Sequence, residues 1–241
     1  MGNTKEIIFA GKKFLMIDLT HPLTLETEGY PGDPELKREV FSDIHETGWH
    51  HYTHVIGDHN FQPHFDAPSH QNLDSQEKGA EFFGNEFFYN PAIMIDLSNS
   101  LEAQDFDGIK YLVKIEKKHL ESFSEKLNEV GAIIIRTGYD RWLEENRKHV
   151  PENLPYLTRE AAEYLASFEN LKVVGVDSLT VDPVGKHESH QALRNKMIVE
   201  SIVHLHEIPS DKLSRFDLQT TPVRIKGATG GPVVVHAYCS L

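Results

Sequence analysis

The sequence predicts a single mixed α/β domain spanning residues 1–241. Short apolar, β-branched runs recur along the chain, most of them bounded by Gly, Pro, Asp or Asn, which is how strands are punctuated. Between them, two segments carry apolar residues at helical spacing. A chain of 241 residues can also bury roughly 70–75% of its unfolded surface in one core, and its 16 Gly and 12 Pro are spread along it, not gathered into a linker.

The strand candidates are, in order, Leu15–Leu19, Tyr52–Ile56, Ala92–Leu97, Ala132–Ile135, Val173–Val176 and Val233–Ala237. Leu120, Phe123 and Leu127 share a helical face over Glu116–Glu129. Thr158 can cap a second helix whose Ala161, Tyr164, Leu165 and Phe168 lie on one side. The stretch 137–158, with Trp142 and a charged EENRK run, reads as a solvated helix and loop. Several runs end in polar residues, namely Asp18, Asp96, Arg136-Thr137-Gly138 and Asp177, at the strand ends where sheet proteins mount their chemistry. The three aspartates suit structural acceptor roles better than catalysis. Arg136 suits an internal ion pair, with a substrate carboxylate as the alternative.

A net charge of −13, from 37 acidic and 24 basic residues, repels phosphate backbones and anionic headgroups, so nucleic acid and membrane surfaces are not expected partners. No apolar run reaches the roughly 20 residues that span a bilayer, and the first residues lack a signal-peptide core. One cysteine, Cys239, allows no internal disulfide. The expectation is a cytoplasmic protein whose metal sites, if any, use His, Asp and Glu.

Histidine is the anomaly: there are 15, and seven of them (45, 50, 51, 54, 59, 64 and 70) fall between residues 45 and 70. In extended backbone, residues i and i+2 share a side, so His64 and Asp66 can face one cation. Pro68 discourages helix there. His70 can lean over the same pocket without ligating, as a proton carrier with an unperturbed pKa near 6.5. His190 and Glu200, flanking an apolar segment, offer a second imidazole–carboxylate pair. Mixed N/O donors of this kind suit Zn²⁺ first, and also Mn²⁺ or Fe²⁺. By spacing alone, scattered surface and core histidines remain the alternative. His50, His51 and His54 read as strand-surface or subunit-interface residues, and 227-GATGGPV-233 as a tight turn with no helix behind it to make a phosphate cradle.

Seven short stretches, in order, resemble the cyclase family of metal-dependent hydrolases, which includes bacterial kynurenine formamidases and isatin hydrolases. They are 17-IDLTHPL-23, 30-YPGDP-34, 64-HFDAPSH-70, 135-IRTGY-139, 174-VGVDSLTVD-182, the His190–Glu200 segment and 227-GATGGPV-233. The resemblance implies a swivelling β/β/α fold with a barrel-like mixed sheet and peripheral helices, assembled as a homodimer or homotetramer. It implies His64, Asp66, His190 and Glu200 as metal ligands, Asp66 able to bridge two ions, His70 as the proton-transferring residue, and Tyr30 against a small aromatic or cyclic substrate. The implied reaction is hydrolysis of an amide or a cyclic ester or amide by water activated on a divalent metal.

Two departures stand out. The family pattern carries a histidine four residues before His64; the ungapped register, favoured because the downstream spacing is undisturbed, puts Asn60 there as the expected metal ligand through its amide oxygen, while a one-residue insertion would give the place to His59. The His190–Glu200 segment is about two residues shorter than the family's, which makes His187 a substitute for His190. Loss of one metal is consistent with these changes, so a catalytically weakened metal-binding or structural relative is the alternative to an active hydrolase. Phe61, Phe65 and Tyr30 are candidates for apolar pocket walls, with core packing the competing role.

Overall fold

A computed structural model describes residues 3–25, 32, 34–59, 63–145, 153–213 and 215–241. In chain order its strands are β1 (Thr4–Phe9), β2 (Lys12–Asp18), β3 (Lys37–Ser42), β4 (His51–Val55), β5 (His64–Asp66), β6 (Tyr89–Asp96), β7 (Gln104–Phe106), β8 (Ile109–Tyr111), β9 (Lys114–Ile115), β10 (Ala132–Arg136), β11 (Tyr156–Leu157), β12 (Val173–Val176), β13 (Met197–Glu200), β14 (Phe216–Pro222) and β15 (Gly230–Ser240). The helices are short: α1 (Ile44–Thr47), α2 (Ser124–Leu127), α3 (Asp140–Glu144), α4 (Arg159–Ala166) and α5 (Glu188–Ala192).

Seven strands close into a barrel in the order β15, β14, β6, β10, β12, β13 and β5, with β5 pairing back onto β15. β6, β10, β12 and β13 run parallel. Parallel strands are covered on both faces, and their sequences, AIIIR, VVGV and MIVE, are accordingly apolar almost throughout. β14 instead alternates buried and half-buried residues. The far end of β15 pairs with β2, which carries β1 at the sheet's outer edge. β3 and β4 form a separate two-stranded ribbon.

Strand parity sorts the core into two. Phe65, Met94, Ile134, Val173, Met197, Val199, Leu218 and Val235 share one cluster, to which all seven barrel strands contribute, so it fills the barrel. Ile93, Ile95, Ile133, Ile135, Val174, Val176 and Ile198 point the other way and pack under α4 with Leu120 and Leu127. Because Phe65 and Val199 face inward, His64, Asp66 and Glu200 must emerge on the outside. Phe65 is fully buried in the barrel, so it serves the core and is no pocket wall; truncating it to Ala would cost about 3–5 kcal/mol.

All six expected strands are present. Thr158 caps α4, its hydroxyl accepting from the Ala161 N–H at 3.2 Å. Two expectations fail. The continuous helix over Glu116–Glu129 is instead two 3₁₀ turns, Lys117–His119 and Glu121–Phe123, followed by α2. A reciprocal cap between Glu116 and His119 favours the tight first turn. The 137–158 stretch is not solvated where it is described: α3 buries Asp140, Trp142 and Leu143, because Arg136 reaches Asp140 from β10 and Trp142 packs among Tyr111 and Tyr139.

Candidate metal centre

The centre is assembled where β5 lies between β13 and β15. Antiparallel register sets His64 opposite Glu200, and Asp66 opposite both Ile198 and Gly230. Gly230 is required there: a Cβ on it would stand 2.4 Å from the His59 ring and 2.5 Å from the Phe65 carbonyl oxygen. The third contribution comes from α5. The Asp182 carboxylate accepts from the backbone N–H groups of Ser189 at 2.7 Å and His190 at 3.1 Å, which fixes the start of that helix and aims His190 inward.

Around this junction the donors fall into two poles. At one, His59 Nδ1 lies 2.9 Å and His64 Nε2 3.7 Å from Asp66 Oδ1, with His64 Nε2 also 3.2 Å from Glu200 Oε2. At the other, His190 Nε2 lies 2.9 Å from Asp66 Oδ2 and 3.5 Å from Glu200 Oε1. Each carboxylate thus turns one oxygen to each pole. His64, Asp66, His190 and Glu200 are all buried. The Val181 N–H fixes Glu200 by donating to Oε1 at 2.7 Å.

The donor chemistry tests whether a cation fits. Thr229 gives both its N–H and its hydroxyl proton to Asp58 Oδ2, at 2.7 and 2.9 Å. Its Oγ1 can then only accept from His59 Nε2, 2.9 Å away. In a neutral His59 ring the proton is therefore on Nε2, and the bare Nδ1 faces the Asp66 carboxylate. Two acceptors at 2.9 Å call for a cation between them. His190 repeats the pattern, with Asp182 Oδ2 at 2.5 Å from Nδ1 and Asp66 Oδ2 at 2.9 Å from Nε2. Burial opposes charge on His190, yet the bonds to Asp182 and Asp66 and the nearby Glu200 push its pKa up to about 10. A proton there stands in for a metal. Burial and the Asp66 charge raise Glu200, while Asp66 itself, despite burial, is held well below the usual carboxylate range by His70, His190 and His59. Three imidazoles and two carboxylates in acceptor form make a set suited to divalent cations.

His70 packs against His59 with ring centroids 3.8 Å apart and planes tilted by 35°, and stands edge-on to His190 at 5.5 Å. Burial first, then the surrounding imidazoles, depress its pKa to about 4 against the pull of Asp66. Its Nε2 lies 3.0 Å from the Gln71 amide nitrogen, and the Gln71 carbonyl oxygen lies 2.7 Å from His187 Nδ1. The cleft above, about 240 Å³, is lined by His59, His64, His70 and Glu200 at its base and by Thr180, Lys186 and His187 further out.

Of the expected residues, His64, Asp66, His70, His190 and Glu200 meet here. Asn60 lies outside the described residues, and so do Tyr30 and Phe61. The alternative to Asn60, His59, stands at the first pole. His187, the substitute for His190, is exposed on the outer wall. Asp18 accepts from Thr20, Asp96 pairs with Arg136 at 3.0 Å, and Asp177 takes the N–H of Thr137 at 2.8 Å, all structural acceptors as expected. His50, His51 and His54 lie on the exposed β4 ribbon or beside it. Asp182, Asp58, Thr229 and Gln71 were not foreseen. Asp182 was within reach, as the last acid of 174-VGVDSLTVD-182 and eight residues before His190. The Asp58–Thr229 pair spans 171 residues and leaves no local trace.

The family model for putative cyclases matches residues 17–183. Kynurenine formamidase of Bacillus cereus (strain ATCC 14579) is 29% identical over 221 residues, covering 90% of this chain and 94% of that protein. Among solved structures, isatin hydrolase A from Labrenzia aggregata bound to benzyl benzoate superimposes with a TM-score of 0.74 at 21% identity, over 94% of both chains. A potential metal-dependent hydrolase with cyclase activity superimposes at 0.69 and 19% identity, over 92% of this chain and 98% of that one. The shared barrel is the fold the sequence resemblance implied.

Proposed function

Since the chain belongs to the putative cyclase family, we propose that it is a metal-dependent hydrolase that cleaves a non-peptide C–N bond, or a cyclic ester, in a small aromatic or cyclic substrate. The observation that carries this reading is the convergence of imidazole nitrogens and carboxylate oxygens from His59, His64, Asp66, His190 and Glu200, in which Nδ1 of a neutral His59 and Asp66 Oδ1 face each other as two acceptors. The relatives, a formamidase and an isatin hydrolase, support the C–N bond as the target.

His59, His64 and one oxygen of Asp66 would hold a cation at one pole, and His190 with the other oxygen of Asp66 would offer donors at the second, with a Glu200 oxygen turned to each. His59 takes the first position through a one-residue insertion, in place of Asn60. Zn²⁺ suits this donor set first, and Mn²⁺ and Fe²⁺ also fit. Divalent cations bound there supply Lewis acidity, which brings the ionisation of water into the neutral range and polarises a carbonyl oxygen. His70, neutral at pH 7 because its pKa is depressed to about 4, is ready to accept a proton and return it to the leaving nitrogen or oxygen. The His59 ring lies against it, with centroids 3.8 Å apart and planes tilted by 35°. Leu179 and Pro183 give the cleft an apolar side, and Lys186 and His187 a polar one. We assign the activity to one domain spanning 1–241 in a cytoplasmic homo-oligomer; among the described residues no helix is long and apolar enough to cross a membrane.

The test combines elemental analysis of untagged protein with hydrolysis of a panel of N-formyl aromatic amines, lactams and lactones, with added Zn²⁺ or Mn²⁺. Near-stoichiometric metal and turnover lost by a factor of 10² or more in His70→Ala support the hydrolase. Stoichiometric metal without turnover on any of the panel would instead favour the catalytically weakened relative.

A further inference from the structure

One arrangement in the cleft serves no ligand of the centre. The half-buried Gln71 side chain spans the gap between His70 and His187, its amide nitrogen 3.0 Å from His70 Nε2 and its carbonyl oxygen 2.7 Å from His187 Nδ1. All three side chains line the cleft. Each end of this bridge has its own support. On one side the His70 N–H closes a turn on the Ala67 carbonyl at 2.9 Å, and the Gln76 amide ties that turn down through the Ser69 carbonyl at 3.0 Å. On the other, His187 directly precedes α5, whose start Asp182 fixes.

An amide has a donor end and an acceptor end, and a neutral imidazole has one N–H and one bare nitrogen. With the Gln71 NH₂ group turned to His70, Nε2 is the bare nitrogen of that ring and Nδ1 carries the hydrogen. With the Gln71 oxygen turned to His187, Nδ1 of that second ring is the one that carries hydrogen. Turning the amide over reverses both rings together. The tautomers of two histidines on opposite walls are thereby coupled through one side chain.

We propose that Gln71 is a positioning residue: it holds His70 in the tautomer whose bare nitrogen is Nε2 and ties that choice to the tautomer of His187. The role rests on the hydrolase reading above, because the ring it serves is the proton carrier. An untied neutral imidazole divides between two tautomers, and only one of them can accept a proton at Nε2. When water gives its proton to Nε2, the amide donor there is displaced and Gln71 turns, so that its oxygen accepts the new N–H. Its NH₂ group then meets His187, which releases its Nδ1 hydrogen to solvent and takes one up at Nε2. That ring neither gains nor loses a proton on balance, and its exposure permits the exchange. Passing the proton from His70 to the leaving group restores the first arrangement.

Long-range ¹⁵N–¹H spectra of the zinc-loaded full chain, labelled at histidine, report which ring nitrogen carries hydrogen and need no substrate. Wild type should show His70 bare at Nε2 and His187 protonated at Nδ1. His187→Phe keeps a ring but removes the nitrogen that anchors the amide. It leaves His70 and Gln71 themselves unaltered, yet it should shift His70 to a mixture of tautomers, as should Gln71→Leu. Metal content equal to that of wild type verifies the centre in both variants. In turnover, Gln71→Leu should lower kcat about 10- to 100-fold with KM little changed, the pattern of an interaction that counts in the transition state alone. The double variant should have the kcat of Gln71→Leu, because both changes break one chain of bonds. A His70 tautomer unchanged in both variants, or losses in kcat that simply multiply, would overturn the proposal. Intact coupling of the tautomers in a chain that turns over no substrate would support the tie and overturn the hydrolase reading instead, so the two failures are distinct.

Discussion

Asp182 holds His190 twice through one oxygen: Oδ2 accepts the His190 backbone N–H at 3.1 Å and meets its Nδ1 at 2.5 Å. The first bond sets where α5 begins and the second sets which ring nitrogen is left for the cavity. With Nδ1–H committed to Asp182, Nε2 is the nitrogen turned to Asp66 and Glu200, and the one a cation would take once its proton leaves. Outer carboxylates of this kind raise ligand basicity and fix the tautomer. Asp182→Asn keeps an acceptor for the helix start but can no longer match the imidazole N–H with a full charge. Metal affinity should fall about 10- to 100-fold, and the metal-free protein should also lose stability at pH 7, because the buried His190 imidazolium loses a charged partner. Competition with a chelator of known affinity measures the loss; an unaltered affinity would remove Asp182 from the centre.

Metal binding should expel protons. In the metal-free protein His190 donates at both nitrogens and its pKa stands at about 10, so at pH 7 it is an imidazolium. A cation can bind its Nε2 only after that proton leaves. Titration calorimetry with Zn²⁺ at pH 7, repeated in buffers of different ionisation enthalpy, should show at least one proton released per chain. No dependence on buffer would contradict the double donation at His190.

Gly230 should prove indispensable to one pole only. A methyl group there would sit 2.4 Å from His59 Cε1, which can swing away, and 2.5 Å from the Phe65 carbonyl oxygen, which cannot move without bending β5. Gly230→Ala should cost about 1–3 kcal/mol of stability and lower metal stoichiometry or affinity by displacing His59, while His190 and Glu200 remain in position. Spectroscopy of Co²⁺-substituted protein resolves the two outcomes, since only the pole containing His59 should change.

How far the sequence could be read depends on how local each interaction is. The parallel strands announced themselves, because strands buried on both faces must be apolar throughout. β5 did not read as barrel closure: its three residues carry two polar ligands, and its pairing partners lie more than 130 residues away. The pairing of His64 with Asp66 on one side of the strand was legible through residue type and the i, i+2 rule, whereas the convergence of His190 and Glu200 on them rested on the family resemblance. The role of His59 was not legible, because the contact that orients its ring, from a Thr229 held by Asp58, comes from the far end of the chain. The misread helix at 116–129 has an equally physical cause. Apolar spacing of three residues fits a 3₁₀ turn as well as an α-helix, so periodicity alone could not separate them.

Stability should fall as pH rises through neutrality, and Asp177 is one cause. Its carboxylate is wholly buried, with Oδ2 accepting from the N–H groups of Thr137, Gly138 and Asp140 at 2.8, 2.9 and 3.3 Å and Oδ1 from the Thr137 hydroxyl at 2.8 Å. Burial and the neighbouring Asp140 charge outweigh those bonds and raise its pKa from 3.8 to about 7. Between those values the folded chain keeps a proton that the unfolded chain has released, so the stability associated with this group is present at the acid end and is lost as pH climbs to about 7. His206 adds in the same sense. Its pKa is raised by Asp140 and Glu144, and the stability it contributes below the ordinary histidine range disappears above it. Asn at 177 is neutral throughout, keeps an acceptor for the three backbone donors, and can give an amide proton to the Thr137 hydroxyl oxygen. Melting of metal-free wild type and Asp177→Asn at pH 6 and pH 8 should therefore converge on different slopes. The wild type should lose about 1–2 kcal/mol more across that interval, which is several degrees for a domain of this size; parallel slopes would mean that Asp177 is already ionised at pH 6 and that its four donors, rather than its burial, decide its charge.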